Sequence, residues 1–319
     1  MWRLRDLAIA AVASVTLMAA TLPVRAADLN VVATIKPIHS IAAAVMEGVA
    51  EPHLLIDGMA SPHTYSLKPS DTRVLNGAAV VFRVSDGLEP FMSKVARSLP
   101  KKVQVVELEK APGLTLYKMR SGGTFETHDH SGGKTAKHSH GHKHAHDKNA
   151  TDSHIWLDPA NATRIASHMA DVLAKAHPQG AERFKANAEA FGRKMDALGN
   201  EISARIKPLS DSPFVVFHDA YQYFEARFDI GAAGSVTVSP EVAPSARRLT
   251  ALRKKIASLK AVCVFAEPQF EPKLVDTITE GTTARRGTLD PNGAAIPAGP
   301  GHYEALLRAM ASDFEACLK

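Results

Sequence analysis

The segment Leu29-Asn30-Val31-Val32-Ala33-Thr34 decides the fold, because it begins an alternation of strands and helices that continues along the chain. Its apolar run predicts a buried strand, and the spacing of apolar residues from Ile38 to Val49 predicts a helix behind it. Strands that alternate with helices are typical of a parallel sheet flanked by helices. Further strands are predicted at 53–56, 79–84 and 103–108. One predicted helix opens at Pro69-Ser70-Asp71, and another runs from Leu88 to Leu99 with an early interruption at Pro90.

One long helix interrupts this alternation near mid-chain. Apolar residues recur at threes and fours from Phe184 to Ile206, so residues 181–207 are predicted to form a helix of roughly 40 Å. We interpret it as a rigid connection between two lobes, the alternative being a surface helix on a single domain. After Pro208 the pattern predicts strands at 214–217, 261–265 and 288–289, with helices at 221–228, 249–259, 272–279 and 302–318.

The first 26 residues predict a secretory signal peptide. Arg3 and Arg5 precede an apolar stretch at 7–22, and Val24-Arg25-Ala26 offers the small residues of a cleavage site. We therefore expect an exported mature chain that begins near Ala27. No other stretch reaches the ~18 apolar residues of a membrane helix, so membrane insertion is not expected. A formal net charge of +5 gives no indication of a nucleic-acid partner.

The sequence thus predicts an α/β fold of two lobes, each with a mainly parallel sheet flanked by helices and joined by a long rigid helix. Its parts are a signal peptide at 1–26, an N-terminal α/β lobe at 27–180, a linking helix at 181–207 and a C-terminal α/β lobe at 208–319.

The chain has two cysteines, Cys263 and Cys317. An even pair in an exported chain favours a disulfide, the alternative being two buried free thiols. The disulfide would stabilise the fold by roughly 4 kcal/mol in the chain-entropy model, and it would tie the end of the chain to a strand of the second lobe.

A histidine-rich segment at about 120–150 interrupts the first lobe. Its other residues are mostly small or polar, so it cannot bury enough surface to offset the entropy lost on ordering, and we predict a mobile, disordered loop. Neutral imidazole is the commonest metal ligand, so we expect the segment to bind metal as an auxiliary site, the alternative being a solvated spacer. Seven of the fifteen histidines lie here: His128, His130, His138, His140, His142, His144 and His146.

Three other histidines share a position near the ends of predicted strands. His63 lies in a loop after a strand, His154 precedes an Ile-Trp-Leu-Asp-Pro segment, and His218 ends the strand at 214–217. Asp290 similarly follows a short strand. Ligands of open α/β sheets bind outside the carboxyl ends of the strands, and three imidazoles with one oxygen ligand or water suit tetrahedral Zn²⁺. No local motif joins these residues, so their spacing alone does not distinguish metal ligands from structural residues.

Five segments together resemble the ordered motifs of the metal-binding solute receptors of ABC importers, and the match covers essentially the whole mature chain. Within that family the ZnuA-type periplasmic zinc-binding proteins are the most similar, since they also carry a loop rich in histidine and acidic residues before the second ligand and a matching cysteine pair. The segments are Gly58-Met59-Ala60-Ser61-Pro62-His63-Thr64-Tyr65-Ser66-Leu67-Lys68-Pro69-Ser70-Asp71, His154-Ile155-Trp156-Leu157-Asp158-Pro159, Phe217-His218-Asp219-Ala220-Tyr221, Phe265-Ala266-Glu267-Pro268-Gln269-Phe270 and Leu289-Asp290-Pro291.

The resemblance implies two lobes bridged by a long helix, a metal in the cleft between them and delivery of that metal to a membrane permease. Manganese-binding relatives tend to have an acid where this chain has His218, so the resemblance implies zinc. Some zinc relatives have a glutamate just before the first ligand, where this chain has Pro62. The fourth ligand is therefore open between Asp290, a water and a histidine of the loop. We expect water to be the fourth ligand. Asp290 is expected to lie near the metal, either as a direct ligand or in contact with the ligands.

The leading hypothesis is a monomeric, non-enzymatic protein that captures Zn²⁺ with high affinity in the periplasm and delivers it to the permease of an ABC zinc importer. The histidine-rich loop would gather zinc weakly or sense it. A manganese or iron receptor of the same family is one alternative.

Two alternatives belong to other classes. A three-histidine site with an open water position is also the arrangement of a zinc hydrolase. However, the sequence contains no glutamate tied to a ligand as general base, and Glu267 is a candidate only by assumed proximity. The other alternative is an adhesin-like metal sponge, in which the loop carries the function and the lobes only support it.

Overall fold

The computed structural model describes residues 29–120, 150–237, 240 and 243–319. The predicted signal peptide and the seven histidines from His128 to His146 lie outside the described residues. The described part of the chain forms two four-stranded sheets in which every pair of neighbouring strands is parallel. Because parallel strands need crossover connections, helices cover the sheets.

The first sheet has the strand order β2-β1-β3-β4. Its central strands β1 and β3 are buried along their whole length, which explains their almost purely apolar sequences. The elements of this lobe are β1 (Val31–Ala33), α1 (Lys36–Val45), β2 (His53–Leu54), α2 (Pro69–Gly77), β3 (Val80–Arg83), α3 (Met92–Ser98) and β4 (Gln104–Glu107).

The second sheet repeats the same order, β6-β5-β7-β8. Its strand β5 is buried at all five residues and ends at His218. The elements are β5 (Phe214–His218), α6 (Gln222–Phe228), β6 (Ala232–Thr237), α7 (Ala246–Leu259), β7 (Cys263–Ala266), α8 (Lys273–Thr279), β8 (Arg285–Thr288) and α9 (His302–Leu318).

Two helices between the sheets, α4 (Pro159–Ala176) and α5 (Ala181–Ile206), hold the lobes together. The apolar stripe predicted for α5 is the buried face of that helix, which contacts α1, α4, α6 and α9. One continuous core therefore runs from the first sheet through α5 to the inner face of the second sheet. A separate small core lies on the outer face of the second sheet, under α7 and α8.

Polar contacts also join the two lobes, and a covalent bond stabilises the second lobe. The Lys36 ammonium at the start of α1 donates to the carbonyl oxygens of Ala294 and Ile296, at 2.7 and 3.1 Å. Cys263 and Cys317 form the predicted disulfide, with Cα atoms 5.9 Å apart, and it links β7 to α9. Within the described residues, no helix is both long and apolar enough to cross a membrane.

The helix predicted to begin at Leu88 begins instead at Met92. The reason is Glu89, whose buried carboxylate accepts hydrogen bonds from the backbone N–H groups of Val84 and Ser85 and so holds residues 84–89 in a loop. The strand β6 was not predicted, because its sequence Ala-Ala-Gly-Ser-Val-Thr carries only one large apolar side chain. Strand β8 was predicted at 288–289, but it ends at Thr288.

Candidate metal centre

Three imidazoles converge between the carboxyl ends of the two sheets. One ring nitrogen from each of His63, His154 and His218 lies within 4.8 Å of the other two, which makes them a potential metal-binding group among the described residues. The ring centroids are 5.1 to 5.7 Å apart. The Nε2 atoms of His154 and His218 face each other at 3.2 Å.

Strand β5 and its neighbour β7 position His218. His218 is the last residue of β5, and Glu267 directly follows β7, which pairs with β5. The Nδ1 atom of His218 lies 2.6 Å from Oε1 of Glu267, and both side chains are almost fully buried. Because the carboxylate accepts a hydrogen bond from Nδ1–H, the lone pair of the neutral ring lies on Nε2 and faces the cleft.

A second carboxylate orients His154 in the same way. Oδ1 of Asp152 lies 2.7 Å from Nδ1 of His154 and also accepts from its backbone N–H, at 3.0 Å. Just after His154 a short 3₁₀ turn at 155–157 buries Trp156, whose indole N–H donates to the carbonyl oxygen of Pro291. Trp156 therefore packs beneath the cluster and links it to the loop after β8.

His63 lies in the irregular loop between β2 and α2 and is half-buried. Its loop comes close to the turn after β3, where Gly87 packs against Ser153: a Cβ atom at Gly87 would lie only 2.7 Å from Oγ of Ser153. The backbone of Gly87 also makes a hydrogen bond with the imidazole of His63. Loop packing and a backbone group thus hold His63 in the cluster, whereas each of the other two histidines has a carboxylate partner.

The surroundings of His63 and His218 move the pKa values of these two imidazoles in opposite directions. Burial, with repulsion from His154 and His218, holds the pKa of His63 well below its usual 6.5. Burial also disfavours the charged form of His218, but the charge and hydrogen bond of Glu267 outweigh it, and the pKa of His218 is raised. The imidazole of His63 is therefore neutral near pH 7, while that of His218 keeps its proton to higher pH.

Asp290 does not join the three imidazoles in this group. Its Oδ1 accepts from the backbone N–H groups of Asn292 and Gly293 and from the side-chain amide of Gln269, and its Oδ2 accepts from the N–H of Ala294. The expectation from the sequence placed Asp290 near the metal because it follows a strand. In the structure four donors engage this carboxylate, and it closes the turn at 290–294.

Three other polar residues near the motifs make structural contacts. Asp158 caps α4 by accepting from the N–H of Ala160. His39 and His302 bond to backbone carbonyl oxygens, of Pro52 and Asn292 respectively, at 3.0 Å.

Sequence reasoning missed the roles of Asp152 and Glu267. One available signal was that Glu267 follows a predicted strand, as His218 ends another.

A bilobal α/β fold with three imidazoles between its lobes defines a metal-binding protein. The sequence profile of the ZnuA family, described as the periplasmic component A of a zinc-uptake complex, matches residues 31–317. A high-affinity zinc uptake system protein ZnuA of Brucella abortus is 47% identical over 305 residues, which cover 91% of each chain. The chain belongs to the ZnuA family.

Solved structures show the same fold. A crystal structure of ZnuA superposes with a TM-score of 0.73 and 23% identity, covering 92% of this chain and 100% of that one. A mutant of the laminin-binding adhesin of Streptococcus agalactiae also gives a TM-score of 0.73, with 26% identity over 91% of this chain and 100% of that one. These comparisons confirm the predicted fold of two sheets flanked by helices and joined by a long helix.

Proposed function

We propose that this protein is a high-affinity zinc receptor, and that His63, His154 and His218 hold the ion. The observation that carries the proposal is the 3.2 Å separation of the Nε2 atoms of His154 and His218. Two nitrogens at 2.0–2.1 Å from a tetrahedral zinc lie about 3.3 Å apart, so these imidazoles have almost the spacing that zinc requires. Family membership independently supports zinc as the transported ion.

The donor set supports zinc over manganese. All three members of the group are nitrogen donors, and imidazole favours Zn²⁺, whereas Mn²⁺ prefers carboxylate and water oxygens. The nearby carboxylates of Asp152 and Glu267 are directed to Nδ1 atoms, and Asp290 is held by its own turn. We therefore assign the fourth position to water and not to Asp290.

The position of Glu267 supports a receptor and not a hydrolase. A catalytic zinc needs a general base within hydrogen-bond reach of its water. Glu267 is the acid that the sequence left open for that role, and its Oε1 lies 2.6 Å from Nδ1 of His218. It therefore orients a proposed ligand, and its carboxylate is engaged with His218 in place of a zinc-bound water.

The cellular role follows from the relatives. The matched family is described as the periplasmic component of a zinc-uptake complex. We infer that residues 1–26 direct export, and that the mature protein, as a monomer, delivers zinc to the permease of an ABC importer. We assign the histidine-rich segment an auxiliary role in gathering zinc at low affinity or in sensing its abundance. Its seven histidines lie outside the described residues, and composition alone supports that assignment.

A competition titration tests the central site. The metal-stripped mature protein is titrated with Zn²⁺ and with Mn²⁺ against a chromophoric chelator. A variant in which His63, His154 and His218 are all alanine is run beside it, with His53→Ala as the matched control because His53 is exposed at the edge strand β2. We expect one tight zinc site that the triple variant loses and the control keeps. Tight manganese binding, or zinc binding that survives in the triple variant, would contradict the proposal.

Deletion of residues 126–147 tests the auxiliary role separately. It leaves the pairing of Met119 with Ala150 in place. We expect the deletion to remove weak zinc sites and to leave the tight one. Loss of the tight site with the segment would instead favour the adhesin-like sponge.

A further inference from the structure

The two ends of the histidine-rich segment meet in a short paired stem, which we define as residues 117–120 and 150–152. Lys118 and Thr151 form an antiparallel bridge. The N–H of Met119 donates to the carbonyl oxygen of Ala150, and the N–H of Asp152 donates to that of Tyr117, both at 2.9 Å. The stem belongs to the first lobe by sequence, but its side chains reach the second lobe.

Arg120 makes the first of these contacts. Its Nε atom lies 3.0 and 3.1 Å from the two carboxylate oxygens of Asp219, and Nη1 and Nη2 lie 2.8 and 2.9 Å from those of Glu225. Both acids are almost fully buried, with side chains 4% and 6% exposed. A planar guanidinium that engages two carboxylates at once fixes position as well as charge. Asp219 directly follows His218, so this contact is made next to a ligand.

Tyr223 of α6 makes the second contact. Its hydroxyl donates to the carbonyl oxygen of Asp152 at 2.8 Å and accepts from the N–H of Tyr117 at 3.2 Å, so it joins both strands of the stem to the second lobe. Asp152 is also the residue whose carboxylate orients His154. Each strand of the stem is thus connected to one of the two buried histidines, through Asp152 to His154 and through Arg120 and Asp219 to His218.

We propose that Arg120 is a positioning residue for the metal centre: it fixes the stem to the second lobe and so keeps His154 and His218 at a metal-binding separation. This inference rests on the proposed zinc-binding function. Its physical basis is that the two imidazoles come from different lobes. Their spacing therefore depends on the contacts between the two lobes that lie next to these imidazoles. The guanidinium of Arg120 joins them within one residue of His218.

Zinc affinity and cobalt spectroscopy of Arg120→Gln test the proposal. We expect the variant to bind zinc roughly 10- to 100-fold more weakly, the loss typical when a residue supporting the ligands is removed. Because visible absorption of bound Co²⁺ reports ligand geometry, we also expect the cobalt spectrum to change. Arg120→Lys keeps the charge but not the planar fork, so it should restore only part of the affinity.

Arg205→Gln is the matched control, because Arg205 also pairs with a carboxylate, that of Glu315, but joins α5 to α9 at the surface. Wild-type affinity and an unchanged cobalt spectrum in Arg120→Gln would overturn the inference. If wild type and control show no tight zinc site either, the proposed function itself fails.

Arg120→Gln leaves two buried acids without their partner and so risks unfolding. A triple variant, Arg120→Gln with Asp219→Asn and Glu225→Gln, removes those charges as well. We expect it to fold and to show the same weakened zinc binding. A triple variant that binds zinc like the wild type, or that also fails to fold, would give Arg120 a purely structural role and overturn the proposal.

Discussion

The loop that carries His63 and the pocket that carries His154 and His218 hold their imidazoles in different ways. In the pocket, each Nδ1 faces a buried carboxylate, at 2.7 Å from Asp152 and 2.6 Å from Glu267. The ring of His63 instead has a hydrogen bond with the backbone of Gly87, and the residue is partly exposed. The pocket therefore presents two imidazoles oriented by buried carboxylates, while the loop presents one that is held by packing and by a backbone group.

This difference suggests separate roles for the pocket and the loop in metal binding. In the proposed site, two preoriented nitrogens would form most of the binding geometry before the ion arrives, which lowers the entropy lost on binding. The partly exposed His63 would then supply the third ligand. We therefore expect the pocket to determine affinity and selectivity, and the loop to control the entry and release of the ion.

The largest loss of zinc affinity is expected for His218→Ala, and it should exceed the loss for His63→Ala. Loss of a ligand must cost more than loss of its hydrogen-bond partner, so we expect His218→Ala to weaken zinc binding by more than about 100-fold. His63→Ala should cost clearly less, since water can occupy a position at the solvent side. Competition titration gives both affinities, and stopped-flow release into excess chelator gives the rates. Equal losses in the two variants would mean that the loop is as preorganised as the pocket.

Glu267→Gln should have the next largest effect. The amide keeps the size of the side chain but removes the charge that favours the Nδ1–H tautomer of His218, so we expect a 10- to 100-fold loss of zinc affinity at pH 8. Asp152→Asn provides the parallel test on His154. The matched control is Glu201→Gln, which breaks an exposed ion pair with Arg308 at the surface. An unchanged affinity in both pocket variants would show that carboxylates do not orient these imidazoles.

The local sequence singled out three histidines that the structure brings together, but not the carboxylates that orient two of them. Ligand type and a position near a strand end are visible in short segments around His63, His154 and His218. The bond between His218 and Glu267 spans 49 residues and depends on the pairing of β5 with β7, which no local pattern specifies. The orientation of the Asp290 carboxylate could not be predicted for the same reason. Its place after a strand was predicted correctly, but the direction of its carboxylate is set by the N–H groups of the turn that follows.

The pH dependence of zinc binding should reflect His218 and not His63. The pKa of His218 is raised by Glu267, so as the pH falls a proton binds His218 before the pH reaches 6.5, and zinc affinity should already decrease above that value. Below the raised pKa each pH unit should cost about tenfold. The pKa of His63 is lowered, so its ring stays neutral in this range. In Glu267→Gln the decrease should move to lower pH. A decrease at the same pH in both proteins would assign the titration to another group.

Removal of the disulfide should have the smallest effect on zinc binding, although it should have a large effect on stability. The bond links residues 54 apart, and its loss should destabilise the fold by roughly 4 kcal/mol. Strand β7 nevertheless pairs with β5 on one side and with β8 on the other. Glu267 follows directly after this strand and should stay in place. We therefore expect the Cys263→Ala/Cys317→Ala variant to unfold at a temperature lower by roughly 8–16 °C.

The same variant should bind zinc within about threefold of the wild type at 25 °C, because the sheet and not the disulfide positions the carboxylate. Calorimetric melting and the competition titration measure the two effects on one sample, and reduction of the wild-type protein serves as the matched comparison. An affinity loss as large as that of Glu267→Gln would mean that the disulfide itself holds β7 in register. The preorganisation of the pocket would then depend on oxidation, a dependence that the loop bearing His63 does not share.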